Sequence, residues 1–124
     1  MEFNNPEPIY LQIAELICDK ILLKTLREDQ RIPSVREMAV QLEVNPNTVM
    51  RTYEYLQGKD IITNKRGVGY FVSTDGIAKA TEMRRTGFLE IALPNFFKTA
   101  QLLNISAEEL QRRYDAFIKN PKGT

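Results

Sequence analysis

Two marked helix starts follow one another closely in this chain, and little else constrains it as strongly. Ser34 and Glu37, in PSVREMAVQL, have the S-x-x-E spacing of a capping box, so a helix is expected over about 35–42 with Val35, Met38, Ala39 and Leu42 on one face. Glu43 and Val44 are then left as a turn. Asn45 is a strong N-cap and Pro46 fits the first helical position, where its missing N–H costs nothing and its fixed φ suits the helix. A second helix is expected over about 46–57, with Val49, Tyr53 and Leu56 as its buried stripe, Gly58 as its stop and Lys59 near its negative end. Two short helices joined by so tight a turn describe a helix-turn-helix.

The flanking stretches complete the pattern. Ile9, Ile13, Leu16, Ile17 and Ile21 recur at helical spacing after Pro8, which predicts a first helix over about 8–25. Residues 1–7 read as a polar arm, and residues 26–33 (LREDQRIP) as a loop without an apolar stripe. After Gly58 the runs Ile61–Thr63 and Tyr70–Val72 surround NKRGVG, which predicts a β-hairpin with Gly67 and Gly69 free to take positive φ at its tip. The order helix, helix, turn, helix, hairpin is that of a winged helix-turn-helix. The expected fold class is therefore mainly α with a small β-hairpin, with a winged helix-turn-helix over residues 1–74 and a short helical tail over 75–124.

The tail shows a helical pattern over 75–93 that Pro94 ends or kinks. A second S-x-x-E, Ser106 to Glu109, opens a last helix to about Ile118, ahead of a frayed end at 119–124. Phe88, Ile91, Phe96, Phe97, Leu102 and Leu103 are more apolar surface than a short tail can bury alone, so a homodimer through these residues is expected. The alternative is packing against the first helix.

Steps of ~100° per residue put Asn47 and Arg51 opposite the buried stripe of the 46–57 helix, flanked by Thr48 and Tyr55. Asn can bind adenine and Arg guanine in bidentate fashion, and Thr can meet a base or a phosphate. A polar, proline-started first turn suits a helix whose tip enters the DNA major groove, although it also describes a well-capped surface helix. Lys65 and Arg66 beside Gly67 put two cations and a bare backbone at the point of the wing, as a phosphate or minor-groove contact needs. Arg36, just after the Ser34 cap, can reach a phosphate or pair with a nearby Glu. The expected partner is double-stranded DNA, and two-fold symmetry predicts a palindromic operator.

Composition excludes other classes. The chain has no histidine and one cysteine, Cys18, in an apolar helical stretch, so it has neither the commonest general base nor a disulfide. No acid pair has acid–base spacing, so an enzyme is not expected, nor a metal or cofactor. Net charge is +1, with nine Lys/Arg against ten Asp/Glu in residues 1–74 and eight against six in 75–124, so DNA contact must come from local placement. No apolar run approaches the ~20 residues of a membrane span, and MEFNNPEP lacks the features of a signal peptide, so a cytoplasmic protein is expected. A winged-helix protein-interaction module is the alternative function, and the cationic wing argues against it.

PIYLQIAELICDKI and RIPSVREMAVQLEVNPNTVMRTYEYLQGKDIITNKRGVGYFV resemble the GntR family of bacterial transcription regulators, across about residues 8–72. Leu-Pro-Ser-x-Arg-x-Leu-Ala appears here as Ile32 to Ala39, the turn and helix as Val44 to Thr52, and the Gly-x-Gly-x-Phe-Val wing as Gly67 to Val72. The resemblance implies a phosphate contact from Arg36, a recognition tip at Asn45, Asn47 and Thr48, and wing contacts at Arg66 and Gly67, with Ser34 and Thr52 as further DNA-binding residues. Pro46 and Met50 stand where many members carry basic residues, which shifts readout toward Asn47 or Arg51. The short helical tail and VNPNTV resemble the YtrA-like subgroup, whose tail implies a dimeric repressor. An apolar effector pocket between tail helices stays open as a further expectation.

Overall fold

The computed structural model describes residues 7–121 and divides into two units, residues 1–85 and 86–124. The arm at residues 1–7 and the frayed end at 119–124 therefore lie largely outside the described residues.

In the first unit, α1 (Ile9–Leu22), α2 (Val35–Leu42) and α3 (Pro46–Gly58) lead into a hairpin, β1 (Ile62–Lys65) and β2 (Gly69–Val72), and then into α4 (Gly76–Gly87). Ile13, Ala14, Ile17, Cys18 and Ile21 of α1, Met38 and Ala39 of α2, and Val49, Tyr53 and Leu56 of α3 form one buried core. Ile61, Ile62 and Val72 close that core from the hairpin side. Two buried polar side chains tie helices together across it. Tyr53 donates its hydroxyl to the Pro33 carbonyl at 2.6 Å, and its ring meets Tyr70 edge-on at 4.9 Å between centroids. Thr52 donates to the Tyr10 carbonyl at 2.7 Å.

Helix ends are set by residues other than glycine. Lys24, Glu43, Asp60 and Asn104 all have φ between 57° and 62°. At the end of α3, Asp60 N–H donates to Gln57 and Ile61 N–H to Leu56, with Leu56 and Ile61 both buried. This is a Schellman closure with its apolar contact. Gly58, expected as the stop, lies within the helix. The left-handed Asp60, two residues past the end of α3, turns Ile61 into the core and leads into β1.

The hairpin pairs Ile62 with Val72, Thr63 with Phe71, Asn64 with Tyr70 and Lys65 with Gly69. Residues 26–33 are not a free loop. Glu28 and Arg31 bridge to Val72 and Phe71, Ile32 N–H donates to the Tyr70 carbonyl at 2.9 Å, and Leu26 and Ile32 are buried. The segment covers the outer edge of β2, supplying partners that sequence periodicity does not show.

The unit boundary falls inside α4 and not after Thr74. Ala80 is in the core, and a methyl group at Gly76 would lie 2.8 Å from the Ile61 carbonyl oxygen and from Val72 Cγ1. Arg84 Nε donates to Asp19 Oδ1 at 2.8 Å, and its Nη1 lies 3.5 Å from Glu15. Burial opposes the charge on Arg84, but the Asp19 hydrogen bond and the two carboxylates outweigh it and raise its pKa. Burial also raises Glu15, against the pull of Arg84. Asp19 is thus the productive partner.

In the second unit, a π-helical segment (Phe88–Ala92) leads into α5 (Leu93–Leu102), followed by α6 (Ala107–Lys119). Pro94 is the second residue of α5 and does not stop the helix. The wide π turn just ahead of it makes room for a ring that lacks an N–H and crowds the preceding turn. Ser106 Oγ accepts from Glu109 N–H at 3.1 Å, as its spacing predicts. No helix among the described residues is long and apolar enough to cross a membrane.

Candidate nucleic-acid interface

Both caps form as the sequence requires. Ser34 Oγ accepts from Glu37 N–H at 3.1 Å, and Glu37 Oε1 accepts from Ser34 N–H at 2.9 Å. These bonds hold the Glu37 carboxyl below its ordinary pKa, so Glu37 is anionic and committed to the cap. Arg36, one residue before it, is exposed. Asn45 Oδ1 accepts from Asn47 N–H at 2.7 Å, which leaves its amide NH₂ facing outward. Asn45, Pro46 and Asn47 are exposed and Thr48 is half-buried, so the first turn of α3 is presented to solvent.

Arg51 is exposed opposite the buried Val49, Tyr53 and Leu56, and Met50 is exposed on their flank. The Arg51 guanidinium lies 4.1 Å from the Tyr10 ring centroid. Tyr10 was not a sequence candidate; only the docking of α1 against α3 brings it there. Met50 offers an apolar contact of the kind that meets a thymine methyl.

Thr52 and Tyr55 differ from their expected placement. Thr52 is fully buried, and its hydroxyl is spent on Tyr10 and, at 3.2 Å, on the Thr48 carbonyl. It is a core residue that joins α1 to α3, with its hydroxyl turned inward. Tyr55 is half-buried, edge-on to Tyr10 at 6.1 Å, with Lys59 Nζ 5.7 Å from its ring. It sits two turns from the tip, and burial raises its phenol pKa.

At the wing, Val68 N–H donates to the Lys65 carbonyl at 2.8 Å, and Gly67 has φ 78°. A positive φ at the third residue of such a turn is what a type II turn needs from glycine. Lys65, Arg66, Gly67 and Val68 are exposed. Lys65 Nζ folds back to 4.3 Å from the Phe71 ring centroid. A methyl group at Gly69 (φ 135°) would lie 2.7 Å from Arg31 Nε, so the Arg31 side chain crosses the wing where β2 has no side chain. Among the described residues the ion pairs are Arg84 with Glu15 and Asp19, and Arg113 with Glu109. The cations around the α3 tip and the wing are not in that set, and Arg36 pairs with no Glu among the described residues.

In the tail, Phe88, Ile91, Phe96, Phe97, Leu102 and Leu103 are all more than half exposed. Leu110, Tyr114 and Phe117 of α6, which sequence reasoning passed over, join Phe96, Phe97 and Ala100 around an open apolar groove of about 870 Å³. Their spacing along α6 was a legible signal, being the stripe of an amphipathic helix.

Comparison with known proteins agrees with this geometry. The gntR family of bacterial regulatory proteins matches residues 9–72. A GntR-family transcriptional regulator from Bacteroides thetaiotaomicron superposes with a TM-score of 0.72 at 46% identity, over 93% of this chain and all of the other. The HTH-type transcriptional repressor YtrA of Bacillus subtilis is 29% identical over 116 residues, covering 94% of this chain and 88% of the repressor. The DNA-binding domain of AraR, in complex with operator ORX1, is similar at a TM-score of 0.54 and 27% identity, over 58% of this chain and 93% of the domain. A capped helix tip, an open cationic wing and these likenesses together place the chain in the gntR family, as a DNA-binding transcriptional regulator with a YtrA-like, short-tailed build.

Proposed function

We propose that the protein is a repressor that binds a palindromic operator as a homodimer, in the cytoplasm with the DNA it controls. The observation that carries this is the pairing of an uncovered α3 tip with uncovered apolar faces on both tail helices. Asn47 and Arg51 read base edges in the major groove, with Arg51 lifting from Tyr10 to do so. Ser34, Arg36, Asn45 and Thr48 hold the backbone beside the tip. Lys65, Arg66 and the bare backbone of Gly67 grip the next phosphates or the minor groove. The groove between α5 and α6 receives a second copy, which presents two recognition tips to two half-sites. Repression follows when a dimer seated on a promoter through both recognition tips occludes it. The YtrA repressor, similar over nearly the whole chain, supports this sign.

The test is fluorescence anisotropy with duplex DNA from upstream of the protein's own gene, a scrambled control and a salt series, together with transcription in vitro from that promoter. Two chains per upstream site, tighter binding there than to the control, and a falling transcript yield are expected. One chain per site would remove the dimer, equal affinity for both duplexes would remove base reading by α3, and a rising yield would reverse the sign.

A further inference from the structure

Arg31 lies in a stretch that looks featureless in sequence, ahead of the motif at Pro33–Arg36. Its bridge to Phe71 makes it a third row on the wing. Directly opposed residues of an antiparallel pair share a face. Arg31, Phe71 and Thr63 therefore point the same way, and Lys65, paired with Gly69 two residues along, joins them. The other face carries Ile62, Val72 and Tyr70, which belong to the core or pack on it. On the outer face the Arg31 side chain runs toward the tip over Gly69, while Lys65 folds back over Phe71. Two exposed cations thus converge across a half-buried aromatic ring and a bare glycine. Arg31 is in no ion pair among the described residues. The acid it acts on, Glu37, is already occupied by the Ser34 cap.

We propose that Arg31 is a phosphate-binding residue of the wing, acting with Lys65 on the outer hairpin face and continuing the cationic surface from Arg36 to Arg66. The inference rests on the wing's contact with the DNA backbone. It also gives the second glycine of GVG a task beyond its backbone angle, since any side chain there would displace the guanidinium. The Arg31 guanidinium, set over Gly69 at the wing, supplies one positive charge for a phosphate beside it. Because phosphates carry no sequence information, Arg31 contributes alike on every duplex.

The experiment measures the slope of log Kd against log salt for wild type, Arg31→Ala, Arg31→Gln, Arg31→Lys and Arg66→Ala, on operator and scrambled DNA, with thermal unfolding of each protein. Losing one phosphate contact lowers the slope by about 0.9. That loss is expected for Arg31→Ala and Arg31→Gln on both duplexes, with the unfolding midpoint held and with Arg31→Lys close to wild type. An unchanged slope in Arg31→Ala and Arg31→Gln overturns the assignment, as does an Arg31→Lys protein that loses as much as Arg31→Ala. If Arg66→Ala lowers the slope while Arg31→Ala does not, the wing still meets DNA and only Arg31 is removed. If neither lowers it, the wing itself is removed from the interface.

Discussion

Thr52→Val separates a core role from a DNA contact at one position. The Thr52 hydroxyl has one proton and two acceptors, the Tyr10 carbonyl at 2.7 Å and the Thr48 carbonyl at 3.2 Å. Losing one such bond costs about 1 kcal/mol net. Valine restores about 0.8 kcal/mol of apolar burial at best. Its methyl, however, replaces an oxygen that sits 2.7 Å from a carbonyl, and a carbon needs about 3.5 Å. Either α1 or α3 must yield, at about 1 kcal/mol or more. The net expectation is a loss of about 1–2 kcal/mol, the sum of an unmade bond and an overpacked contact that the methyl only partly offsets. At about 4–8 °C per kcal/mol for a unit of this size, the melting midpoint falls by roughly 5–15 °C. Urea unfolding gives the free energy, and anisotropy at a temperature where both proteins are folded gives the DNA affinity. Thr52→Ser, which keeps the hydroxyl, recovers most of the stability. A Thr52→Val protein with wild-type stability and at least tenfold weaker DNA binding would refute the core assignment and return Thr52 to the interface.

Three further expectations follow from the geometry. Asp60, at φ 61°, occupies backbone space that glycine favours, so Asp60→Gly is expected to be stabilising or neutral and Asp60→Val to lose about 1–2 kcal/mol by denaturant unfolding. Equal stabilities would mean that α3 does not end in this closure. Phe97→Asp together with Phe117→Asp puts charge on both walls of the tail groove, and sedimentation equilibrium is expected to show a monomer; an unchanged mass would place the dimer seam elsewhere. Burial pushes the Cys18 thiol from 9.0 up to about 12, so it stays unreactive toward a thiol reagent at pH 8 until the chain unfolds. Because the unfolded thiol ionises first as pH rises, stability falls above about pH 9 from this group, and Cys18→Ala makes that alkaline loss shallower.

The sequence by itself determined the local elements, since their causes are local. The Ser34–Glu37 box, the Asn45–Pro46 start, the Val49–Tyr53–Leu56 stripe and the turn at Gly67 each depend on residues a few positions apart, and each forms as their chemistry requires. Chain order then sufficed for the winged helix-turn-helix. Tertiary structure alone decided what depended on distant partners. Thr52 is polar yet lies only about 40° from Leu56 by helical angle, and the approach of Tyr10 from α1 completes its burial. Residues 26–33 have no period of their own because their pairing lies across the wing, on β2. The left-handed residue that closes α3 is Asp60 and not Gly58, because burying Ile61 in that closure offsets the cost of a positive φ at a non-glycine residue. Arg31 carries no motif at all. Its place on the wing comes from a bridge to Phe71, forty residues further along the chain, and no local pattern encodes a contact of that range.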